Sequence, residues 1–389
     1  MDEQTVHTQK KKRRRLAGWI KMLIAVAATL VLSTGAWCLL LGSDGLALVQ
    51  TLLLARFAFV EADADLTAAV DQGLNAFVQG LGDRWSYYRS AEQYQQLKTT
   101  RANNYVGVGI TVNYTREEGL LVLSVVEGGP ADQAGVVPGD IITAVDGQSA
   151  AGEAGREIAD RIQGEEGTQV VLTLLREDGS TAEAACTRAT LRKSSASGKM
   201  LEDGIGYVRL ENFYSGSAGS FQAEVDALVE QGAKGLIIDV RSDPGGYVAE
   251  LEKILDYLLP EGPVFTQKPR WWFQSVYQSD ADCVDLPMAV LVNGGTYSAA
   301  ELLAAQLRES AGAPIVGELT SGKGYSQVTF PLVNGGGVGL STATYCTGSG
   351  HSLIGEGITP DVELALDGEA PLGGENDNQL QAALELLRG

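Results

Sequence analysis

Ser298 stands between a strand-like run, Met288–Val292, with its turn Asn293-Gly294-Gly295, and the helix-forming stretch Ala299–Ala305. A serine at such a junction exposes its hydroxyl, while the free N–H groups of the helix start face an incoming carbonyl. The same junction reads as a plain N-cap, with Glu301 three residues on completing a capping box. What separates the two readings is a base. The chain has 2 histidines, His7 and His351; His7 lies ahead of a basic run and an apolar segment, so a Ser-His-Asp hydrolase would have to use His351. A lysine can do the same work when burial keeps its amine neutral. Lys323 lies between Gly322 and Gly324, which let its backbone approach another element closely; its competing reading is an ordinary solvated turn lysine.

A second turn belongs to the same argument. Gly235–Val240 reads as a buried strand that ends in Arg241-Ser242-Asp243-Pro244-Gly245-Gly246. A strand running into Pro-Gly-Gly either presents free backbone N–H groups or is simply a tight turn. Asp239 and Arg241 read as structural groups at the strand end.

The run NGGTYSAAE (293–301) followed by VGELTSGKGYSQ (316–327) resembles the signature of the C-terminal processing peptidases, or tail-specific proteases. The resemblance covers nearly everything after the first apolar segment. It implies a Ser-Lys serine peptidase with Ser298 as nucleophile, Lys323 as general base and Gln327 as the amide that orients the lysine. It also places the oxyanion hole at Gly245 or Gly246 together with the Ala299 N–H. The family's usual Ser-Ala-Ser-Ala-Ser-Glu is here Thr296-Tyr297-Ser298-Ala299-Ala300-Glu301, and Tyr297 is its least expected residue. Relatives usually carry arginine or lysine where His351 stands, so the resemblance gives it no role as base.

Upstream, the pattern changes to short alternating strands between 103 and 193. Val106-Gly107-Val108-Gly109-Ile110, then Gly129–Gly135, then Gly139–Gly147, resemble in this order the carboxylate-binding loop and following segments of a PDZ domain. Such a loop offers N–H groups to a chain end while a strand edge pairs with the peptide. Many relatives have arginine at the place of Gln163, coupling this domain to the active site; Arg161 is the nearest substitute.

The elements before these carry a topology signal. Lys10–Arg15 is a basic cluster ahead of Met22–Leu41, an apolar run of 20 residues without a charge. That length spans a bilayer, and the basic flank predicts a cytoplasmic N-terminus with the remainder exported. A cleaved signal peptide is the rival reading. Residues 1–42 carry seven Lys or Arg against two Asp or Glu, which leaves −25 for the remainder of a chain with net charge −20. A body that acidic argues against nucleic acid or anionic lipid as partners. Residues 43–101 read as helices, with Leu66, Val70, Leu74, Phe77, Val78 and Leu81 at helical spacing and a turn whose aromatics, Trp85, Tyr87 and Tyr88, read as packing residues. Trp271-Trp272-Phe273 with Tyr277 reads as a hydrophobic loop closed onto the core, and the cysteines Cys186, Cys283 and Cys346 show no metal-ligand spacing.

The expectation is an α+β multidomain chain: basic tail 1–21, transmembrane anchor 22–42, helical region 43–102, PDZ-like domain 103–193, Ser-Lys protease core 194–370 and C-terminal helix 371–389. The resemblance implies a ClpP/crotonase-like type of core and, in some members, paired subunits, hence a homodimer. The expected partners are protein or peptide substrates with accessible C-termini and the membrane, with no nucleic acid, no metal and no organic cofactor. The expected place is a bacterial cell membrane, single-pass, with the catalytic region outside the cytoplasm. The alternative is a catalytically silent PDZ scaffold that binds protein C-termini. An esterase would call for G-x-S-x-G, which Thr296–Ala300 is not.

Overall fold

The structure, a computed structural model, describes residues 40–61, 64–152, 155–368 and 370–388. Contacts divide the chain into two units, with the boundary between Phe77 and Val78. The first holds α1 (Leu40–Ala58), 19 residues, none of them buried, and long and apolar enough by composition to cross a membrane. The span expected at 22–42 lies outside the described residues except for its last three. α2 (Leu66–Gln79) has the expected helical spacing, yet among its residues only Val78 is buried.

In the second unit, β1 (Tyr87–Arg89) leads to α3 (Ala91–Arg101), whose start is fixed by a capping box between Ser90 and Gln93. β2 (Asn104–Gly107) breaks at Gly109, where φ is 83°. A side chain there would meet Leu191 and Val126 at 3.1 Å, so glycine is needed for space as well as for conformation. Next come β3 (Ile110–Arg116), β4 (Gly119–Val125), α4 (Pro130–Gln133), β5 (Ile141–Val145), β6 (Gln148–Ser149), α5 (Gly155–Asp160), β7 (Gln169–Leu175) and β8 (Thr181–Thr187). Their sheet runs β3-β4-β5-β7-β8, with β6 on β5, and β3 is an open edge. Val170, Leu172 and Leu174 point inward at the two-residue period of a strand and join Leu120, Ile142 and Ile158 in one core. β9 (Ala189–Arg192) returns antiparallel to β2.

The remaining elements are β10 (Ala196–Met200), β11 (Ile205–Leu210), α6 (Ser217–Glu230), β12 (Gly235–Asp239), α7 (Val248–Leu258), β13 (Gly262–Pro269), β14 (Ser275–Ser279), β15 (Met288–Val292), α8 (Ala299–Ala311), β16 (Ile315–Gly317), β17 (Tyr325–Pro331), β18 (Gly337–Thr347), β19 (Val362–Glu363) and α9 (Asn378–Arg388). A six-stranded sheet runs β10-β11-β12-β15-β16-β19, parallel from β11 onward. Leu236 and Ile238 of β12 and Val290 and Val292 of β15 face α6, α7 and α8. Ile237, Ala289 and Leu291 face Leu380, Ala383 and Leu384 of α9. Parallel strands covered on both faces are apolar at nearly every position, which is why β15 and β12 as far as Ile238 read as hydrophobic runs. Beyond β12, the fully buried Arg241 bonds Asp239 and Asp377 at 2.6 Å each, tying the strand end to the start of α9. A second, five-stranded sheet, β1-β18-β13-β14 with β17 on β18, carries Gln327 on β17, with Lys323 in the turn just before that strand.

Two expectations are corrected. Trp271, Trp272 and Phe273 form the tip of the β13–β14 hairpin and are 80%, 79% and 95% exposed; of that stretch Tyr277 packs inward, stacked on Phe265 at 4.1 Å. Arg161 bonds Gln148 at 2.5 Å and pairs with Glu157 at 3.9 Å, both neighbours within its own sheet region. The loop that includes Gln163 is held instead by Arg188, whose guanidinium donates to the Arg161, Ile162 and Gln169 carbonyls.

Candidate active site

β15 delivers the chain to the turn before Ser298, and α8 begins immediately after it. That turn and the Pro-Gly-Gly turn are tied together: Thr296 Oγ1 donates to the Val240 carbonyl at 2.7 Å, and Asn293 Oδ1 accepts the Ser242 N–H at 2.8 Å. Ser298 itself has φ 64° and ψ −123°. This is a conformation that a residue with a side chain enters at a cost of about 1–3 kcal/mol and only where its surroundings hold it there. It is far from the extended backbone of an ordinary N-cap. Glu301 does much of the holding. Its fully buried carboxylate accepts the Ser298 N–H at 2.9 Å and the Lys323 N–H at 2.9 Å through Oε2. Through Oε1 it accepts the Thr320 hydroxyl at 2.5 Å and the Gly322 N–H at 2.7 Å.

Lys323 is 9% exposed. Its Nζ donates to Gln327 Oε1 at 3.0 Å and lies 5.1 Å from the ring centre of Trp85 and 5.7 Å from that of Tyr297. The centres of the two rings are 6.0 Å apart. Burial, and then the nearby Arg101 guanidinium, bring its pKa down to about 8, against an opposing pull from Glu301 and Asp83. An amine with that pKa is neutral roughly a fifth of the time near pH 7.4, against less than about a thousandth for an ordinary lysine. Gln327, on β17, is fixed from its other side by the Trp85 carbonyl, which accepts its Nε2–H. Tyr345 of β18, buried, donates its hydroxyl to the Lys323 carbonyl and is a hydrogen-bond partner of the Ser298 side chain; burial raises its own pKa.

On the neighbouring turn Gly245 has φ 76°, and a side chain there would lie 2.9 Å from both Ser298 Cβ and the Ala299 nitrogen. The turn therefore approaches the serine as closely as backbone allows. The Gly245 N–H donates to Asp243 Oδ1 at 2.7 Å. For the Gly246 N–H no acceptor occurs among the described residues. Asp243 is buried, its Oδ2 has no partner among the described residues, and burial holds its carboxyl well above the usual range.

A cavity of about 760 Å³ is lined by Ser298, Lys323, Gln327, Ala299, Gly246, Trp85, Tyr87 and Tyr345 among others. It thus brings together five of the six residues expected at the catalytic and oxyanion positions, while Gly245 lies just behind its wall. Val106–Ile110 and His351 are not part of its lining. Trp85 and Tyr87 line it rather than simply packing, and Tyr88 alone of those three aromatics is buried. Sequence reasoning missed Tyr345 and the Trp85 carbonyl. Trp85 is 242 residues from Gln327 in sequence, so no local pattern links them. Among the described residues no cluster of metal-ligating side chains occurs.

The family model for peptidase family S41 matches residues 204–364, and the PDZ domain model matches residues 121–176. The carboxy-terminal processing protease CtpA of Bacillus subtilis is 32% identical over 305 residues, 78% of this chain and 65% of that protein. A carboxyl-terminal-processing protease of Synechocystis is 34% identical over 307 residues, 77% of this chain and 72% of that protein. The solved photosystem II D1 C-terminal processing protease is similar at 26% identity and a TM-score of 0.49, over 90% of this chain and 92% of that one. With a third of its residues shared across most of the Synechocystis protease, the chain belongs to peptidase family S41, as a serine-type carboxyl-terminal processing protease with a PDZ domain.

Proposed function

We propose that this chain is a membrane-anchored endopeptidase that cleaves exported proteins with a Ser298–Lys323 dyad. The observation that carries the reading is Lys323, an amine with a pKa of about 8, walled by aromatic rings in the same cavity as a serine in a strained backbone. Neutral Lys323 takes the Ser298 proton as the hydroxyl attacks a peptide carbonyl, then returns it to the departing amine. Gln327, held at Trp85, keeps the lysine aimed. The oxyanion collects in front of the Ala299 N–H, the first of α8, and the Gly246 N–H; a donor of this kind is typically worth about 3 kcal/mol. Gly245, its own N–H engaged by Asp243, supplies the space. Water then cleaves the acyl-enzyme.

The open edge of β3 and the loop Val106–Ile110 suit addition of a substrate tail as an extra strand, with the loop's N–H groups facing the terminal carboxylate. In this reading the core is ClpP/crotonase-like, the domains fall at the boundaries expected above, and an N-terminal apolar helix holds the chain to a bacterial membrane with the catalytic region outside. Pairing of subunits belongs to the same reading. The test is cleavage of a denatured protein by the purified full chain in detergent, beside Ser298→Ala and Lys323→Ala. Both variants should keep their circular dichroism and lose cleavage. Activity that survives Lys323→Ala would remove the base, and an inert parent would favour the silent scaffold.

A further inference from the structure

The cavity around Ser298 is charged in one sense only. Arg84, Arg89, Lys98 and Arg101 line it along with Lys323, and not one Asp or Glu does. This occurs in a chain with 49 acidic and 29 basic residues. All four come from one short stretch, the turn before β1, β1 itself and the last turn of α3. Among the described residues none of them is ion-paired. Arg84 lies 4.3 Å from the Trp85 ring centre and donates to the Ser321 carbonyl, Arg89 lies 5.1 Å from the Tyr87 ring centre, and Lys98 lies 5.0 Å from that of Tyr94. Arg101 donates to the Tyr87 hydroxyl at 3.3 Å. Neutral partners position these side chains without cancelling their charge. In a walled cleft such unspent charge concentrates the field on whatever enters.

We infer that the catalytic cleft reads a carboxylate on its substrate, with Arg101 and Arg89 as the groups that take it, while the apolar residues Leu251, Phe265 and Leu302 accept the neighbouring side chain. This rests on the peptidase reading and names its substrate class. The carboxylate comes from an acidic side chain near the scissile bond or from the end of the substrate chain. Arg101 is the nearer of the two to the reacting groups, since it is the cation that acts on Lys323. A guanidinium–carboxylate contact in such a site is charge-assisted and strong, and it weakens with salt.

The test uses the full chain in detergent with Ser298→Ala, so that binding is read without turnover. Fluorescence anisotropy compares three matched peptides: one with internal Asp and Glu and an amidated end, its Asn and Gln counterpart, and that counterpart with a free carboxylate end. At low salt at least one carboxylate-bearing peptide should bind about tenfold or more tightly than the neutral one. The preference should shrink at high salt and be largely lost in Arg101→Gln or Arg89→Gln, each checked by circular dichroism. Which peptide carries the preference tells a side chain from a chain end. Equal binding of all three, or a preference untouched by both substitutions (as for capture at the PDZ domain), overturns the inference. Cleavage by the parent chain is run in parallel: preference without cleavage counts against the peptidase reading, and cleavage without preference against the carboxylate.

Discussion

Replacing Lys323 by methionine should stabilise the protein while abolishing its activity. A lysine that titrates at about 8 instead of its ordinary 10.5 belongs to a fold that disfavours the charged amine. At 1.36 kcal/mol per pH unit the penalty is about 3 kcal/mol. Methionine fills most of the same volume without the charge. Its lost bond to Gln327 takes back about 1 kcal/mol, which leaves a gain of about 2. For a domain of this size that is roughly 4 °C in melting temperature. The sign of the pH dependence is fixed. Below about pH 8 the amine is charged in both folded and unfolded chains, and the penalty is whole. Between about 8 and 10.5 the folded amine is neutral while the unfolded one still holds its proton, so the parent gains stability as pH rises and the variant's lead fades. Thermal melts of both proteins at about pH 6.5 and about pH 10, with cleavage of a denatured protein alongside, make the measurement. A variant that melts below the parent at the lower pH, or a lead unchanged by pH, would show that the amine is not desolvated and would refute the argument for it as a base.

Cleavage by the parent should rise with pH through about 8 from the acid side, since only neutral Lys323 accepts a proton; a kcat/KM profile flat across that value would exclude it. Glu301→Gln puts an amide among four donors that a buried carboxylate now satisfies, so the melt should fall by the equivalent of about 2–3 kcal/mol and cleavage by at least about tenfold. A glutamine variant with parental stability and rate would show that Glu301 organises nothing. Asp243 is the opposite case to Lys323: burial raises its folded pKa, so stability is whole below its unfolded value and declines as pH climbs toward the folded one. Asp243→Asn should accordingly melt above the parent at neutral pH and level with it in acid, as followed by circular dichroism; no difference at neutral pH would mean the carboxyl is not held neutral.

The parallel strands were legible in the sequence because cover on both faces leaves few polar positions to confuse the pattern, and α9 because its apolar face repeats at helical spacing. The Ser298 junction was legible because strand, glycine turn and helix follow one another directly. Exposure was not. Trp271, Trp272 and Phe273 are apolar in composition but sit on a hairpin tip, and composition carries no account of which side of a turn faces solvent. Nor was the far side of the site. Tyr345 lies near the end of β18, away from every motif that marked the site, and the turn at Trp85 reaches Gln327 only through pairing of β1 and β17 with the same strand, β18. Such contacts depend on sheet order, which local periodicity does not encode.

The two readings of Ser298 offered by the sequence, a capped helix start and a nucleophile, converge on Glu301. The capping contact from Glu301 to the Ser298 N–H is present, and the same oxygen also holds the Lys323 N–H. A motif that usually satisfies one orphan donor at a helix end here fixes the backbones of two residues 25 positions apart relative to one point. The carboxylate exacts an electrostatic cost, because its negative charge favours the protonated form of Lys323. Burial beside Trp85 and Tyr297, together with the charge of Arg101, outweighs that pull. Position and protonation are thus set by different groups: Glu301 fixes where the lysine backbone lies, and the aromatic wall with Arg101 fixes the state of its amine.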